Sequence, residues 1–140
     1  MQLVTPNFHF TGQCKQAIEL YRKAFDAKVN EMLYYSDAHP KDYVAASEAD
    51  KDLVYHAEIS IGEQRIMLSD MTDDTIPKGN SISLVITFET AKDVKKAYKV
   101  IVEGSTIIHS MKSTTYSSCF VSLIDKYGIR WELMTEQTEK

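Results

Sequence analysis

Glu132 is the side chain in this sequence best placed to do chemistry. It lies in Ile129-Arg-Trp-Glu-Leu-Met134, where strand alternation puts Arg130, Glu132 and Met134 on one face and Trp131 and Leu133 on the other. Charged residues are rarely buried unpaired, so two readings stand: a solvated side chain on the open side of a sheet, or a carboxylate in a pocket. In the pocket, apolar surroundings would suit it to general-base work. His56 and Glu58, two residues apart in a strand-like run, share a face and enter one cavity together or meet solvent together. His9 alternates with Phe8 and Phe10 and is expected on the helix-facing side, while His39 and His109 lie in or beside loops as solvated imidazoles. Cys14 opens a helix, where a thiol can be activated. No base and third orienting residue accompany it, so it reads as a small packed side chain, and Cys119 reads as core.

The background composition narrows the function classes. A chain of 140 residues, 44% hydrophobic, can bury one real core, and a single domain over 1–140 is expected. The net charge of −4 and the interleaving of lysines with acids leave no basic stripe for a nucleic-acid backbone. Two cysteines make no disulfide framework or zinc finger. The opening Met-Gln-Leu-Val-Thr-Pro has neither a charged nor an apolar leader region, and no apolar run is long enough to span a bilayer. A cytoplasmic protein without membrane partners is expected.

The elements that must position these residues can be read in order. Residues 3–10 form a strand with Pro6 near its start, and apolar spacing at 17, 18, 20, 21, 24 and 25 makes 13–26 an amphipathic helix. Strands follow at 28–35, 53–61 and 64–69, the last two joined by Gly62-Glu63; the polar 36–51 segment reads as a loop with one helical turn. After a polar connection at 70–80 come a strand at 81–88 and a helix at 91–102 capped by Thr90 and ended by Gly104. Strands at 106–109, 117–124 and 129–134 close the chain.

That is strand, helix and three strands, written twice. A shift of 77 places Ala17, Tyr21 and Phe25 on Val94, Tyr98 and Val102, and Pro6 and Phe8 on Ser83 and Val85; a shift of 65 places Arg65, Met67 and Leu68 on Arg130, Glu132 and Leu133. Such self-similarity speaks for repeated architecture, with modules at about 1–70 and 81–136.

Several short motifs recur in a telling order: Thr5-Pro-Asn-Phe-His-Phe10 with Gly12, Ala17-Ile-Glu-Leu-Tyr21, His56-Ala-Glu-Ile59 with Ile61-Gly62, Ile66-Met-Leu-Ser-Asp70, and Asp125-Lys-Tyr-Gly128 through Trp131-Glu-Leu133. Together they resemble the vicinal oxygen chelate superfamily of glyoxalase I, extradiol dioxygenases and fosfomycin-resistance proteins, and within it the PhnB-like subfamily. The resemblance implies an α+β fold of two tandem βαβββ modules forming a half-open eight-stranded cup, with a helix packed outside each. In metal-dependent members, ligands come from the first and fourth strands of each module. Carried over residue by residue, those places fall on Pro6, Met67, Ser83 and Glu132. Proline has no donor there, a thioether is soft and one serine hydroxyl is weak, so the resemblance implies a cavity here without a metal or other cofactor; the alternative is a first strand slipped by one or three residues, which would turn Asn7 or His9 inward and, with His56, Glu58 and Glu132, offer a two-histidine, two-carboxylate set.

The expected function is therefore the binding of a small apolar or aromatic metabolite, lined by Phe8, Phe10, His56, Glu58, Met67, Ser83 and Tyr116, with Glu132 as the catalytic or anchoring group. Where the subfamily usually shows an aromatic and a glycine before Asp125, this chain has Tyr116-Ser-Ser-Cys-Phe120, so a pocket mouth of different shape is expected. Two alternatives accompany this reading: a lyase, isomerase or oxygenase with Glu132 as base, and a structural or regulatory dimer with no ligand. The resemblance also implies a homodimer, since open sheet edges need cover.

Overall fold

The structure, a computed structural model, describes residues 2–40, 48–72, 76 and 79–136. The chain forms two compact units, Met1–Pro77 and Lys78–Lys140, each built as strand, helix and three strands.

In the first unit, β1 (Asn7–Phe10), β2 (Lys28–Tyr34), β3 (Val54–Ile61) and β4 (Gln64–Asp70) make one sheet in the order β1-β4-β3-β2, and β1 alone runs parallel to its neighbour. Helix α1 (Cys14–Phe25) buries Ala17, Ile18, Tyr21 and Phe25, the stripe that its three- and four-residue spacing dictates. Against it the sheet buries Phe8, Phe10, Ala57, Ile59, Ile66 and Leu68, and Phe8 meets Tyr21 edge-on at 6.2 Å. Gln13 supplies no side-chain cap to α1. Asp70 does that work from the end of β4: its Oδ1 accepts the N–H groups of Gly12 and Cys14, each at 2.9 Å, and its Oδ2 accepts that of Val54 at 2.9 Å. The β3–β4 hairpin turns on Gly62 at φ 58°, a left-handed conformation that glycine adopts without steric cost.

Strand β1 is shorter than the expected 3–10. Leu3 and Val4 are exposed, and Pro6 contributes only its carbonyl, which accepts the Met67 N–H at 2.9 Å. The loop expected over 36–51 carries short 3₁₀ turns at Tyr35–Asp37 and Ala49–Asp52; its patches Tyr43-Val44 and Ala45-Ala46 lie outside the described residues.

The second unit repeats the plan with β5 (Leu84–Phe88), α2 (Ala91–Ile101), β6 (Thr106–Lys112), β7 (Phe120–Ile124) and β8 (Arg130–Thr135), in the order β5-β8-β7-β6 with β5 parallel to β8. Val94, Ala97 and Ile101 of α2 are buried, as are Val121, Leu123, Trp131 and Leu133 of the sheet. Thr90 caps α2, its Oγ1 accepting the Asp93 N–H at 3.1 Å. The Asp125-Lys-Tyr-Gly turn is held by Asp125, which accepts the N–H groups of Tyr127 (2.8 Å) and Ile129 (3.2 Å) and, through Oδ2, the Trp131 indole N–H at 2.8 Å.

Three bounds differ from expectation by more than one residue here. β5 begins at Leu84, leaving Ile82 80% exposed, and β6 runs on to Lys112 through two register irregularities. β7 begins only at Phe120, because Ser117 and Cys119 turn to Thr135: the Ser117 Oγ lies 3.2 Å from the Thr135 Oγ1, which also accepts the Cys119 N–H at 3.1 Å. The fold is thus α+β with two βαβββ modules.

Candidate functional site

Each sheet has one face packed under its helix and one that is not. In the first unit the register places Glu31, Glu58, Met67 and Asn7 in one row across all four strands on the face away from α1. His56 joins them, its Nε2 3.6 Å from the Glu31 Oε1, so His56, Glu58 and Met67 do share a face. Arg65 donates to Glu58 at 2.6 Å. That hydrogen bond holds the Glu58 carboxyl below its ordinary range, with the Arg65 charge, a hydrogen bond from Asn30 and His56 adding to it against some desolvation.

Two expectations for this unit are corrected. Phe8 and Phe10 are not with the polar set: they point under α1, because the apolar face of the helix needs an apolar sheet face. For the same reason His9 points away from α1, its Nδ1 3.2 Å from the Ser69 Oγ, and is not on the helix side as expected.

In the second unit the corresponding row reads His109, Ser122, Glu132 and Val85, again on the face away from the helix. Glu132 is not a lone acid among apolar neighbours. Arg130 Nη2 donates to its Oε2 at 3.2 Å, while Arg130 Nη1 donates to the Asn80 carbonyl at 2.7 Å. The two side chains are 21% and 19% exposed, and Phe120, Met134, Val85 and Thr87 flank them by register. Ser122 is completely buried, and its hydroxyl has no hydrogen-bond partner among the described residues.

Ser83 is not beside Glu132. It precedes β5, and Val85 takes the position expected of it, just as Asn7 and not Pro6 stands beside Met67. Tyr116 is 54% exposed and meets Phe120 edge-on at 5.9 Å. The other aromatic candidates have separate duties. Tyr35 packs on Tyr55 at 5.2 Å and donates its hydroxyl to the Asp70 carbonyl at 2.7 Å, and Trp131 is in the core.

The remaining candidates settle as structure. Cys14 is fully buried, and burial together with the Asp70 charge pushes its thiol far above the ordinary range, the opposite of an activated nucleophile. Residues that the sequence reading passed over as partners are Arg65, Glu31 and Ser122. The i, i+2 spacing of Arg130 and Glu132 already put that pair on one face, whereas Arg65 and Glu58 meet across strands and Ser122 matters only through its neighbours.

By register Asn7 stands beside Met67 in the first unit and Val85 beside Glu132 in the second. Taken by itself, each pair offers a divalent ion no more than one oxygen-bearing side chain, an amide in the first and a carboxylate in the second. Among the described residues no three His, Cys, Asp or Glu side chains converge as metal ligands.

A family model described as 3-demethylubiquinone-9 3-methyltransferase matches residues 2–134. No curated protein matches the chain. Among solved structures, the PhnB protein from Bacillus cereus is 23% identical with a TM-score of 0.80, the match covering 96% of this chain and 99% of that one. Protein PA1353 from Pseudomonas aeruginosa is 20% identical with a TM-score of 0.80, covering 97% and 98%. The fosfomycin resistance protein FosX from Listeria monocytogenes is 10% identical with a TM-score of 0.66, covering 99% and 95%. At these identities the likeness is one of fold, that of the vicinal oxygen chelate superfamily. Among the described residues no helix is long and apolar enough to cross a membrane.

Proposed function

The chain belongs to the 3-demethylubiquinone-9 3-methyltransferase family, and we propose that it binds a small apolar or aromatic metabolite against the open face of its second sheet, anchored by Arg130 and Glu132 and without a catalytic metal. The quinone in the family's description falls in that ligand class. One observation carries the reading: an ion pair about four-fifths buried, 21% and 19% exposed, stands on a sheet face whose other members are largely apolar. A pair so placed contributes little stability by itself, because desolvation offsets the attraction. Its use is to hold fixed charge where an apolar surface meets a ligand's polar group. Binding is favoured over general-base chemistry because the nearest charged neighbour of Glu132 is a guanidinium.

For the first sheet, taken by itself, we propose Glu58, His56 and Met67 as ligand contacts. The partner for assembly is proposed to be a second copy: β2 and β5 end their sheets and expose Val29, Leu33 and Val85. Cys14 and Cys119, both buried and in no disulfide among the described residues, suit a reducing cytoplasm.

Native mass spectrometry of the purified protein tests the ligand. A co-purified small molecule that is lost in Glu132→Gln supports the reading; equal retention in Glu132→Gln refutes the anchor. Sedimentation showing only a 15.9 kDa species at micromolar concentration would remove the dimer.

A further inference from the structure

Ser122 sits at the middle of the second sheet, on β7, with His109 of β6 on one side and Glu132 of β8 on the other. Its residue is 0% exposed and its Oγ has no partner. Two residues along β8 from Glu132, Arg130 spends Nη1 on the Asn80 carbonyl and Nη2 on Glu132, while its Nε is buried without a partner. Orphaned buried donors are rare in native structures, and each asks for an occupant. Among the described residues the remaining such atom, the Ser105 Oγ, lies in the connection between α2 and β6, so two of the three flank one carboxylate.

The row is open at its ends and closed at its middle. His109 is exposed and Val85 is 52% exposed, Glu132 is 19% exposed in its side chain, and Ser122 is sealed. A ligand reaching past Val85 and Glu132 would therefore put a polar atom at the deep end. That atom must accept, since an Arg Nε–H only donates and Ser122 has its proton to give. Glu132 uses Oε2 for Arg130 and leaves Oε1 for a donor on the ligand. An anionic ligand would bring its charge against Glu132 while Arg130 is already engaged.

We propose that Ser122 Oγ and Arg130 Nε form a donor subsite beneath Glu132. The matching ligand is a neutral molecule with an acceptor and a donor on adjacent groups, a carboxamide or an α-hydroxycarbonyl, on an apolar body. The proposal rests on the open face of the second sheet being the binding face.

Benzamide, with benzoate and toluene as controls, titrated into the full chain and followed by amide chemical shifts, tests it. Benzamide is expected to bind in the millimolar range and shift β7 and β8, with both controls about tenfold weaker or more. Ser122→Ala should weaken benzamide about tenfold and raise Tm, because no buried hydroxyl is then left without a partner. Ser122→Cys, close in size with a poorer donor, should fall between the two. A lower Tm in Ser122→Ala with unchanged benzamide affinity would mean that the hydroxyl serves a trapped water, and the subsite falls. Loss of benzamide in Glu132→Gln but not in Ser122→Ala overturns the subsite and leaves the binding face standing. Failure of benzamide on the wild-type chain overturns the ligand class, while the co-purified ligand decides separately whether the face binds at all.

Discussion

Asp70 and Thr135 hold the same place in the two modules: each ends the fourth strand of its sheet, Asp70 opposite Phe10 and Thr135 opposite Phe88 in the parallel pairing. Their wiring differs. Asp70 reaches the start of α1, which has no side-chain cap of its own, while α2 has Thr90, and Thr135 instead holds the backbone of Cys119 before β7. A missing cap on one helix has been made good by a carboxylate from a distant strand.

Asp70→Asn should therefore destabilise the protein by about 2–3 kcal/mol, since one amide NH₂ must replace an oxygen that now faces N–H donors. Urea unfolding measures it. A loss below about 0.5 kcal/mol, the range of ordinary surface changes, would show that the capping contributes nothing.

The Arg65–Glu58 pair sets an acid limit. Arg65 lowers the Glu58 carboxyl below its ordinary 4.5, so the folded chain binds that proton less readily than the unfolded one. Stability from the pair is then full above that ordinary value and fades as pH falls through the lowered one. The urea midpoint of wild type should exceed that of Glu58→Gln at about pH 6 and converge with it near about pH 3. A constant difference across that range would assign the effect to packing.

Trp131 is the one tryptophan of the chain, which makes it a reporter for the last turn. Asp125→Ala removes the acceptor of its indole N–H and of two backbone N–H groups. The expected result is a shift in native emission together with a stability loss of about 2–4 kcal/mol. Unchanged fluorescence would argue that the turn stands without Asp125.

Cys14 and Cys119, both buried, should resist a thiol reagent in the folded protein and react stoichiometrically in denaturant. Rapid native labelling of Cys14 would contradict its burial at the start of α1.

Both helices and most strands were legible, because period-3.6 and period-2 apolar patterns are local properties of the chain. The pairing of first with fourth strand was not. Alternation assigns faces but leaves register open, and the shift of 77 that aligns the helix starts misplaces the first strand by one residue. Phe10 to Cys14 is one residue longer than Phe88 to Ala91, which accounts for one of the two residues between Ser83 and Val85; the other is inherited from the first strand, where Asn7 and not Pro6 stands beside Met67. Phe8 and Phe10 were placed with the ligand for want of one inference, that α1 must cover the most apolar face available. Glu132 was found from its neighbours in sequence. Ser122, opposite it by register, comes from another strand and carries no local mark.

Because β1 pairs parallel with β4, Asn7 has no strand partner on that side until Met67 has been made. At about 5–20 residues per second of synthesis, Phe8 and Phe10 wait several seconds on the ribosome for the strand that pairs beside them. The second unit faces the same delay between Val85 and Glu132. A chain truncated before β4 or β8 leaves its sheet without the strand that joins β1 or β5 to the rest. Nascent-chain survival, and not only the stability of the finished fold, then sets how much the opening strands can be made more hydrophobic.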